Sequence, residues 1–372
     1  MAFSIQPVQN RKDLRAFIRL PYKLYRDDSI WVPPLLLEEK KKYSEKTNPM
    51  LSHCDVRLFL LLQNGKAVGR ISAFIDRLAV EHWRENVGLF GSFECIDDVD
   101  ASQLLLDAAR SWLRERGMAK MRGSWSFASQ EWGILVKGFD SPPMIMAPYN
   151  PPFYNVQMES FGLNKVKDLM VYELDMKDGY ELPERFLRMT DRIAEKYGVT
   201  VRSVNMKRLE EDVKTIVDVA NASTKDNWGF IPVTDEEAHD MAKSLKPVVD
   251  PDAVMIAEID GKPIGYLIGL PDINIILRGL NGRLFPFGFL KLLFGLKKIR
   301  QYRIWALGVI PEYQRKAIDT LFYRRLYDVL SPKRPDRIEA NYVLEDNMVM
   351  NNPILKMGFN EVKKYRVYEM DL

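Results

Sequence analysis

The chain has 372 residues, a length that favours two domains or one large one. Its 54 basic and 51 acidic side chains leave a formal net charge of only +3, which indicates no polyanionic partner, and no nucleic-acid-binding motif is present. Cys54 and Cys95 are its only cysteines, and its first residues lack the basic start and apolar core of a signal peptide. We therefore expect a cytoplasmic, disulfide-free protein that binds no nucleic acid.

Apolar runs and amphipathic segments alternate in the first half of the chain. Their spacing predicts, in order, a strand, a helix, a β-hairpin, a strand and a helix, at 3–8, 11–26, 57–75, 88–94 and 101–116. The last helix is expected to present one apolar face and to be capped by Gly117. That face is predicted to contain Leu104, Leu105, Ala108, Trp112 and Leu113.

A similar order returns in the second half. The patterns predict a strand, a helix, a hairpin, a strand, a helix, a strand and a final helix, at 199–204, 207–222, 253–270, 302–310, 317–330, 337–343 and 346–357, followed by a terminal strand. Between the halves, 177–198 is predicted to be a loop and a helix with helical spacing from Phe186 to Tyr197.

The two halves are related by an internal repeat. Residues 161–176 and 357–372 are identical at eight of sixteen aligned positions, and the same offset of 196 residues places Asn64-Gly65 on Asp260-Gly261. A repeat of this length is the size of a domain. The sequence therefore predicts a duplicated domain, with an N-terminal copy at 1–176, a linker helix within 177–198 and a C-terminal copy at 199–372.

This order of elements predicts the fold class. Strands and helices alternate, yet each copy also contains a hairpin, so both parallel and antiparallel pairs are expected. We predict an α/β fold of the mixed-sheet (α+β) type: two tandem domains, each with a central mixed sheet flanked by helices.

A candidate phosphate-binding turn lies between the strand at 302–310 and the helix at 317–330. There, Gln314-Arg315-Lys316-Ala317-Ile318-Asp319 would direct backbone N–H groups to one point where the helix dipole is positive. Arg315 and Lys316 would add positive charge. The turn suits a pyrophosphate, although any strand-to-helix turn can contain basic residues.

With this motif, the chain resembles the GNAT superfamily of acyl-CoA-dependent N-acyltransferases. The turn is similar to the family's Gln/Arg-x-x-Gly-x-Gly/Ala loop, and Leu344-Glu-Asp-Asn347 and Met357-Gly-Phe359 match later parts of the family pattern. Leu20-Pro-Tyr22, Trp31-Val-Pro-Pro34 and Gly308-Val-Ile-Pro311 resemble a subgroup of large bacterial GNAT proteins. The resemblance covers both copies.

The resemblance implies where acetyl-CoA or another acyl-CoA would bind. In the family, the fourth and fifth strands separate, the pantetheine pairs with strand four, and the pyrophosphate lies on the loop. Carried over to this sequence, the binding residues are Leu307, Gly308, Val309, Gln314, Arg315, Lys316, Ala317, Ile318 and Asn347. The chain departs from the loop pattern at Ala317 and Asp319, where Asp319 either opposes a phosphate or caps the helix.

The N-terminal copy departs further from the pattern. Its equivalent loop, Glu94-Cys-Ile-Asp-Asp-Val-Asp100, contains four carboxylates and no basic residue. Because such a loop repels anions, we assign acyl-CoA binding to the C-terminal copy and expect the N-terminal copy to be degenerate for CoA.

Acyl transfer to an amine requires a base for the amine and a proton for the leaving thiolate. By the resemblance, Glu339 is the first candidate for the base, and Glu345 is the second. The family's usual acid, a tyrosine, is replaced here by Ile354, so Tyr342 or Tyr365 would have to substitute. The competing interpretation is that these residues are ordinary sheet side chains.

An apolar insertion at 271–300 distinguishes the C-terminal copy. Its segment 284–298 is too short to span a membrane. It could form a lid over a pocket or touch a membrane surface, but packing against the other copy is the preferred interpretation.

The predicted function is an acyl-CoA-dependent N-acyltransferase, with acetyl transfer to a small-molecule or peptide amine. A ligand-sensing or scaffold protein without catalysis is the alternative, and a tRNA-dependent aminoacyl transferase is the third. No metal is expected, because His53, His82 and His239 do not pair at a ligand spacing.

Overall fold

A computed structural model describes residues 2–127 and 131–372. The elements of the first half are β1 Phe3–Pro7, α1 Arg11–Arg19, α2 Pro21–Leu24, α3 Leu36–Lys42, β2 Cys54–Gln63, β3 Lys66–Asp76, α4 Arg77–Trp83, β4 Val87–Cys95, α5 Val99–Arg114, β5 Lys120–Gly123, β6 Ile134–Lys137, α6 Phe153–Ser160 and β7 Asn164–Asp175. Those of the second half are α7 Glu184–Tyr197, β8 Val199–Ser203, α8 Leu209–Thr224, α9 Asp235–Leu245, β9 Val254–Ile259, β10 Lys262–Pro271, α10 Asn274–Leu277, α11 Gly288–Leu296, β11 Gln301–Val309, α12 Asp319–Leu330, β12 Arg337–Leu344, α13 Met348–Lys356 and β13 Asn360–Asp371.

These elements form two units. Unit 1 contains residues 1–170, 276–290 and 362–372, and unit 2 contains 171–275 and 291–361. In unit 1 the strands follow the order β1-β2-β3-β4-β5-β13, and in unit 2 they follow the order β8-β9-β10-β11-β12. In each unit the pairs are antiparallel except for β4 with β5 and β11 with β12, which are parallel. The predicted α/β class with two tandem mixed-sheet domains is confirmed.

The two predicted hairpins share one turn geometry. Asn64 and Gly65 have φ values of 51° and 73°, and Asp260 and Gly261 have values of 50° and 74°. Positive φ at both central residues is the mark of a type I′ turn, whose twist matches that of the flanking strands. The Asn-Gly and Asp-Gly pairs thus fix the register of β2 with β3 and of β9 with β10.

The repeated ends of the two copies also have one structure. The N–H of Leu163 donates to Met158 O, and that of Phe359 donates to Ile354 O, so both preceding helices end in a Schellman motif. However, β13 pairs with β5 and β6 and belongs to unit 1, while the last residues of β7 belong to unit 2. The compact units therefore differ from the sequence copies at their last strands, and the boundaries at 176 and 199 stay a prediction.

Helix α5 covers the core of unit 1. Its residues Leu105, Trp112 and Leu113 are buried as predicted, and Leu106 and Ala109 are buried with them. Leu104 was placed on this face wrongly, because it is 41% exposed. In unit 2, α8 packs Ile216 and Val219 against strand residues Val254, Ile256 and Tyr266.

Two further differences from the expected elements have local causes. The helix expected at 11–26 divides into α1 and α2 at Pro21, which has no N–H to continue the first helix. The insertion contains the short helices α10 and α11, and its residues 276–290 belong to unit 1. Within unit 1, the Gly282 carbonyl accepts the N–H of Leu36 at 3.0 Å.

Candidate functional site

The turn between β11 and α12 has an unusual backbone. Arg315 and Ala317 have positive φ values of 60° and 58°, and neither is a glycine. Among the residues that the structure describes, the N–H groups of 315–318 donate no hydrogen bond to another backbone group. Alternation of left-handed and right-handed residues turns successive N–H groups towards one point, which is how backbone nests bind anions.

The first turn of α12 adds the positive end of the helix dipole. Ile318, the N-cap residue, provides no capping side chain. Asp319, the first residue of α12, places a carboxyl in the first turn of the helix. Burial raises the pKa of the Asp319 carboxyl. The start of the helix therefore combines the N–H groups of 315–318 with one partly buried carboxyl.

The polar side chains of the turn have different surroundings. Arg315 is exposed, whereas the Lys316 Nζ lies 4.5 Å from the centre of the Tyr313 ring and 5.6 Å from that of Tyr197. The Gln314 Nε2 donates to Val309 O at 2.9 Å and to Ser223 O at 3.3 Å. Gln314 thus braces the turn against β11 and α8, while Arg315 and Lys316 supply its charge.

Strand β11 separates from β12 next to this turn. The parallel pairing runs only from Gln301 to Ile304, opposite residues 337–340. On the other side, the register with β10 shifts between Ile268 and Gly269, which leaves Trp305 as the extra residue of a β-bulge. A bulge bends its strand. Residues 305–309 thus continue the pairing with β10 while facing β12 across an opening.

The three predicted strand contacts lie along this opening. Leu307, Gly308 and Val309 pair with β10, so any further strand would have to pair with the other edge of β11. The backbone of Gly308 is closely packed, since a Cβ atom there would lie 2.3 Å from the Ser223 Oγ. A bulkier residue would push α8 away from the strand.

A buried polar cluster lies where the two strands part. Glu339 and Arg303 are register neighbours, and their exposed fractions are 2% and 0%. The Asn341 side chain connects them, because its Nδ2 donates to the Glu339 Oε1 and its Oδ1 accepts from the Arg303 Nε. Of these three residues, only Glu339 is predicted from the sequence. Arg303 within the apolar run of β11 was the signal for the rest, because a buried arginine requires a partner.

The other candidates for chemistry lie on or near β12. The Tyr342 ring lies 5.2 Å from the Arg303 guanidinium. Glu345 is partly exposed, and Asn347 caps α13 by accepting the N–H of Met350. Tyr365 lies in unit 1, where its hydroxyl donates to Pro148 O at 3.0 Å. Of the two tyrosines, Tyr342 is therefore the one that lies in the same unit as Glu339.

Ile354 occupies the position of the family's tyrosine and is 1% exposed. Its side chain has no proton to donate.

The equivalent region of unit 1 has a different structure. The β4–β5 pairing stops at Phe90 and Gly123, but residue 125 stays beside β4, because its N–H donates to Phe90 O at 2.8 Å. A Cβ atom on Gly91 would lie 1.6 Å from the carbonyl oxygen of Trp125. The opening between these strands is thus filled by the chain itself.

The loop of unit 1 also closes the start of its helix. The Asp98 side chain caps α5 by accepting the N–H of Ala101 at 2.9 Å. Asp97 and Asp100 are exposed beside it. An anion would meet carboxylates here in place of N–H groups.

Unit 1 contains a buried carboxyl of its own, which the sequence analysis did not single out. The Glu94 Oε2 accepts hydrogen bonds from the Tyr25 hydroxyl at 2.5 Å and the Tyr154 hydroxyl at 2.9 Å. The Arg70 Nη2 lies 3.5 Å from the Glu94 Oε1. Burial raises the pKa of Glu94. The tyrosines cover this carboxyl and tie β4 to α2 and α6.

One group of metal-ligand side chains occurs among the described residues. His53, Cys54 and Asp76 bring one ligand atom each within 4.8 Å of the others. The Asp76 Oδ1 lies 2.9 Å from the His53 Nδ1 and also accepts the N–H groups of Leu78 and Ala79. The Asp76 Oδ1 therefore already caps α4 and contacts His53.

None of the described helices combines the length and the apolar composition that a membrane crossing requires.

Solved structures share this fold over the whole chain. A tandem GNAT protein from the clavulanic acid biosynthesis pathway superposes with a TM-score of 0.58 at 11% identity, covering 100% of this chain and 98% of that one. A GCN5-related N-acetyltransferase from Sphaerobacter thermophilus superposes with a TM-score of 0.55 at 13% identity, covering 99% and 95%. At these identities the likeness shows the fold.

Sequence relatives show the family, although no family model matches the chain. Protein YghO from Escherichia coli K12 is 37% identical over 370 residues, covering 98% of this chain and 94% of that protein. The chain belongs to one family with YghO, and its fold is the one found in the GNAT structures. A second relative, named Bacterial ceramide synthase, comes from Caulobacter vibrioides and is 35% identical over 377 residues, covering 99% and 97%.

Proposed function

We propose that this GNAT protein is an acyl-CoA-dependent N-acyltransferase that binds acyl-CoA in unit 2. The observation that carries the proposal is the turn at 314–318, in which the N–H groups of 315–318 donate to no other backbone group of the described residues, beside the separated edge of β11. A pyrophosphate fits the turn. A pantetheine, with its two amide groups, fits the edge of 305–309 as an added strand.

The acceptor is an amine, and we propose a long-chain amino alcohol. The support is the name of one relative, Bacterial ceramide synthase, since a ceramide is a long-chain amino alcohol that carries a fatty acyl group in amide linkage. In the reaction, the amine nitrogen forms a bond to the thioester carbonyl carbon, the carbon–sulfur bond breaks, and the thiolate leaves as the thiol of CoA.

Two proton movements accompany these bond changes. In our proposal, Glu339 receives the proton that the amine loses, and Asn341 and Arg303 hold the carboxylate in place. Tyr342 is proposed to protonate the thiolate, because Ile354 has no proton to donate. Glu345 remains the second candidate for the base.

Calorimetric titration with acetyl-CoA and palmitoyl-CoA tests the location of the binding site. The double variant Arg315→Ala/Lys316→Ala should weaken binding about tenfold or more, because each lost charge-assisted hydrogen bond to phosphate costs about 1.5 kcal/mol. Lys207→Ala/Arg208→Ala removes the same charge from an exposed turn before α8 and should bind like the parent.

Turnover tests the chemistry separately. Mass spectrometry of a mixture containing sphinganine and each acyl-CoA should detect the N-acyl product and show which acyl length is preferred. If neither acyl-CoA binds, the alternative of a ligand-sensing or scaffold protein replaces this proposal.

A further inference from the structure

The inserted segment 283–298 exposes large apolar side chains. Phe285, Phe287 and Phe294 have exposed fractions of 71%, 70% and 68%, the highest of any large apolar residue in the described ranges. Leu293, in the same segment, is 58% exposed. Burying such side chains drives association, because each removes apolar surface from water.

Helix α11 collects this apolar surface on one side. Phe289, Leu290, Leu293 and Phe294 are all exposed and recur at the spacing of one helical face. Phe285 precedes the helix, and its ring lies 6.0 Å from that of Phe289, which extends the face by one more aromatic side chain.

The charged side chains within this segment all have one sign. No Asp or Glu occurs between Asp272 and Glu312. Arg283, Lys291, Lys297 and Lys298 are exposed, and none of these four forms an ion pair with any residue of the part of the chain that is described. Their charge is therefore uncompensated in a protein whose net charge is only +3.

We propose that segment 283–298 docks on the surface of an anionic phospholipid bilayer. The phenylalanines would enter the boundary between headgroups and acyl chains, and the basic side chains would contact the phosphates. With nine residues, α11 is too short to cross the bilayer and would lie in its interface.

The charge pattern decides between a bilayer and a second copy of this chain. Pairing two copies through this face would bring two sets of basic side chains together without an acidic partner. An anionic lipid surface offers the opposite charge and an apolar layer at once.

Cosedimentation with vesicles tests this proposal on the full chain. The parent protein should sediment with vesicles of phosphatidylcholine and phosphatidylglycerol and stay in solution with phosphatidylcholine alone. Lys291→Gln/Lys297→Gln/Lys298→Gln should lower the partition coefficient on the order of a hundredfold, since each basic residue near the surface contributes about fivefold, and should reduce its dependence on salt.

The aromatic contribution has a matched control. Phe285→Ser/Phe287→Ser/Phe294→Ser should stay in solution with the anionic vesicles, because the apolar anchors are lost. Leu104→Ser/Val156→Ser/Val349→Ser changes three exposed apolar residues elsewhere and should sediment like the parent. Circular dichroism melting verifies that both triple variants are folded.

Three outcomes would overturn the proposal: a parent protein that stays in solution with anionic vesicles, phenylalanine variants that still sediment, or a parent that self-associates through these phenylalanines without binding vesicles. The last outcome would assign the face to a second copy. Because sedimentation needs no acyl-CoA, the result is independent of the proposed reaction, although an amphiphilic acceptor would be reached at the same surface.

Discussion

The two units have the same strand order, but the loop between the fourth strand and the following helix is basic in unit 2 and acidic in unit 1. Each has a bulged strand that leaves its parallel neighbour and leads to a helix. In unit 2 the strand leads to a turn that contains Arg315 and Lys316, whereas in unit 1 residue 125 fills the opening and Asp98 caps the helix. Two units can thus share one framework while the charge and the hydrogen-bonding groups at the same place differ.

The largest expected effect concerns Glu339, which is compared below with Glu94 of unit 1. Glu339→Gln should lower kcat about 10²-fold to 10⁴-fold, the usual contribution of a general base, with little change in acyl-CoA affinity. Steady-state kinetics and calorimetry measure the two quantities. A variant with parental kcat would remove Glu339 from the mechanism.

Glu94→Gln is the matched substitution in unit 1. It should leave kcat unchanged and lower the free energy of unfolding by about 1–3 kcal/mol, because Arg70 would keep a buried charge without its partner. Urea denaturation measures this loss. A large fall in kcat with unchanged stability would mean that unit 1 takes part in the reaction.

Charge reversal should weaken acyl-CoA binding in the turn of unit 2 and should have no effect on binding in the loop of unit 1. Arg315→Glu/Lys316→Glu should weaken acyl-CoA binding about a hundredfold, since it replaces attraction to the pyrophosphate by repulsion. Asp97→Lys/Asp100→Lys should not create a second site in unit 1, because the opening there is filled. A calorimetric stoichiometry of two for that variant would show that charge alone separates the units.

Substitutions of Gly91 in unit 1 and Gly308 in unit 2 test whether the first opening is filled and the second is not. Gly91→Ala should destabilise the protein by about 3 kcal/mol or more, because its Cβ would overlap the backbone oxygen of Trp125. Gly308→Ala meets the Ser223 hydroxyl and the Tyr266 ring, which are side-chain atoms and not backbone, so a smaller loss of stability is expected. Thermal melts of both variants compare them, and equal losses would contradict the difference.

The smallest effect is expected from Asp319. Burial raises the pKa of its carboxyl, so the neutral form favours the folded state below the unfolded pKa, and this contribution disappears as the pH rises through the folded pKa. Above that pKa the carboxylate also repels the pyrophosphate. Asp319→Asn should therefore tighten dephospho-CoA binding severalfold at neutral and higher pH. In the parent, calorimetry is expected to show that binding weakens as the pH rises. The Asp319→Asn variant should not show this weakening.

Local patterns in the sequence were enough for the fold class and for most of the longer strands and helices, although α3, α4, α6 and α9 were not predicted. Asn64-Gly65 and Asp260-Gly261 predicted two hairpin turns, and both pairs adopt positive φ at both positions, which few residue pairs do. The repeat at 161–176 and 357–372 predicted a duplicated domain. The charges of the basic turn and of the acidic loop could also be predicted from the sequence, since the charge of a segment follows from its composition.

Tertiary structure decided what those residues touch. The bond from Arg303 through Asn341 to Glu339 joins two strands that are distant in sequence, and the filling of the opening by residue 125 depends on how the chain returns to β4. Strand β13 likewise pairs within unit 1 although its sequence repeats β7. Periodicity and turn chemistry act over a few neighbouring residues, whereas burial, strand partners and the space beside a strand are set by contacts between segments that no local pattern relates.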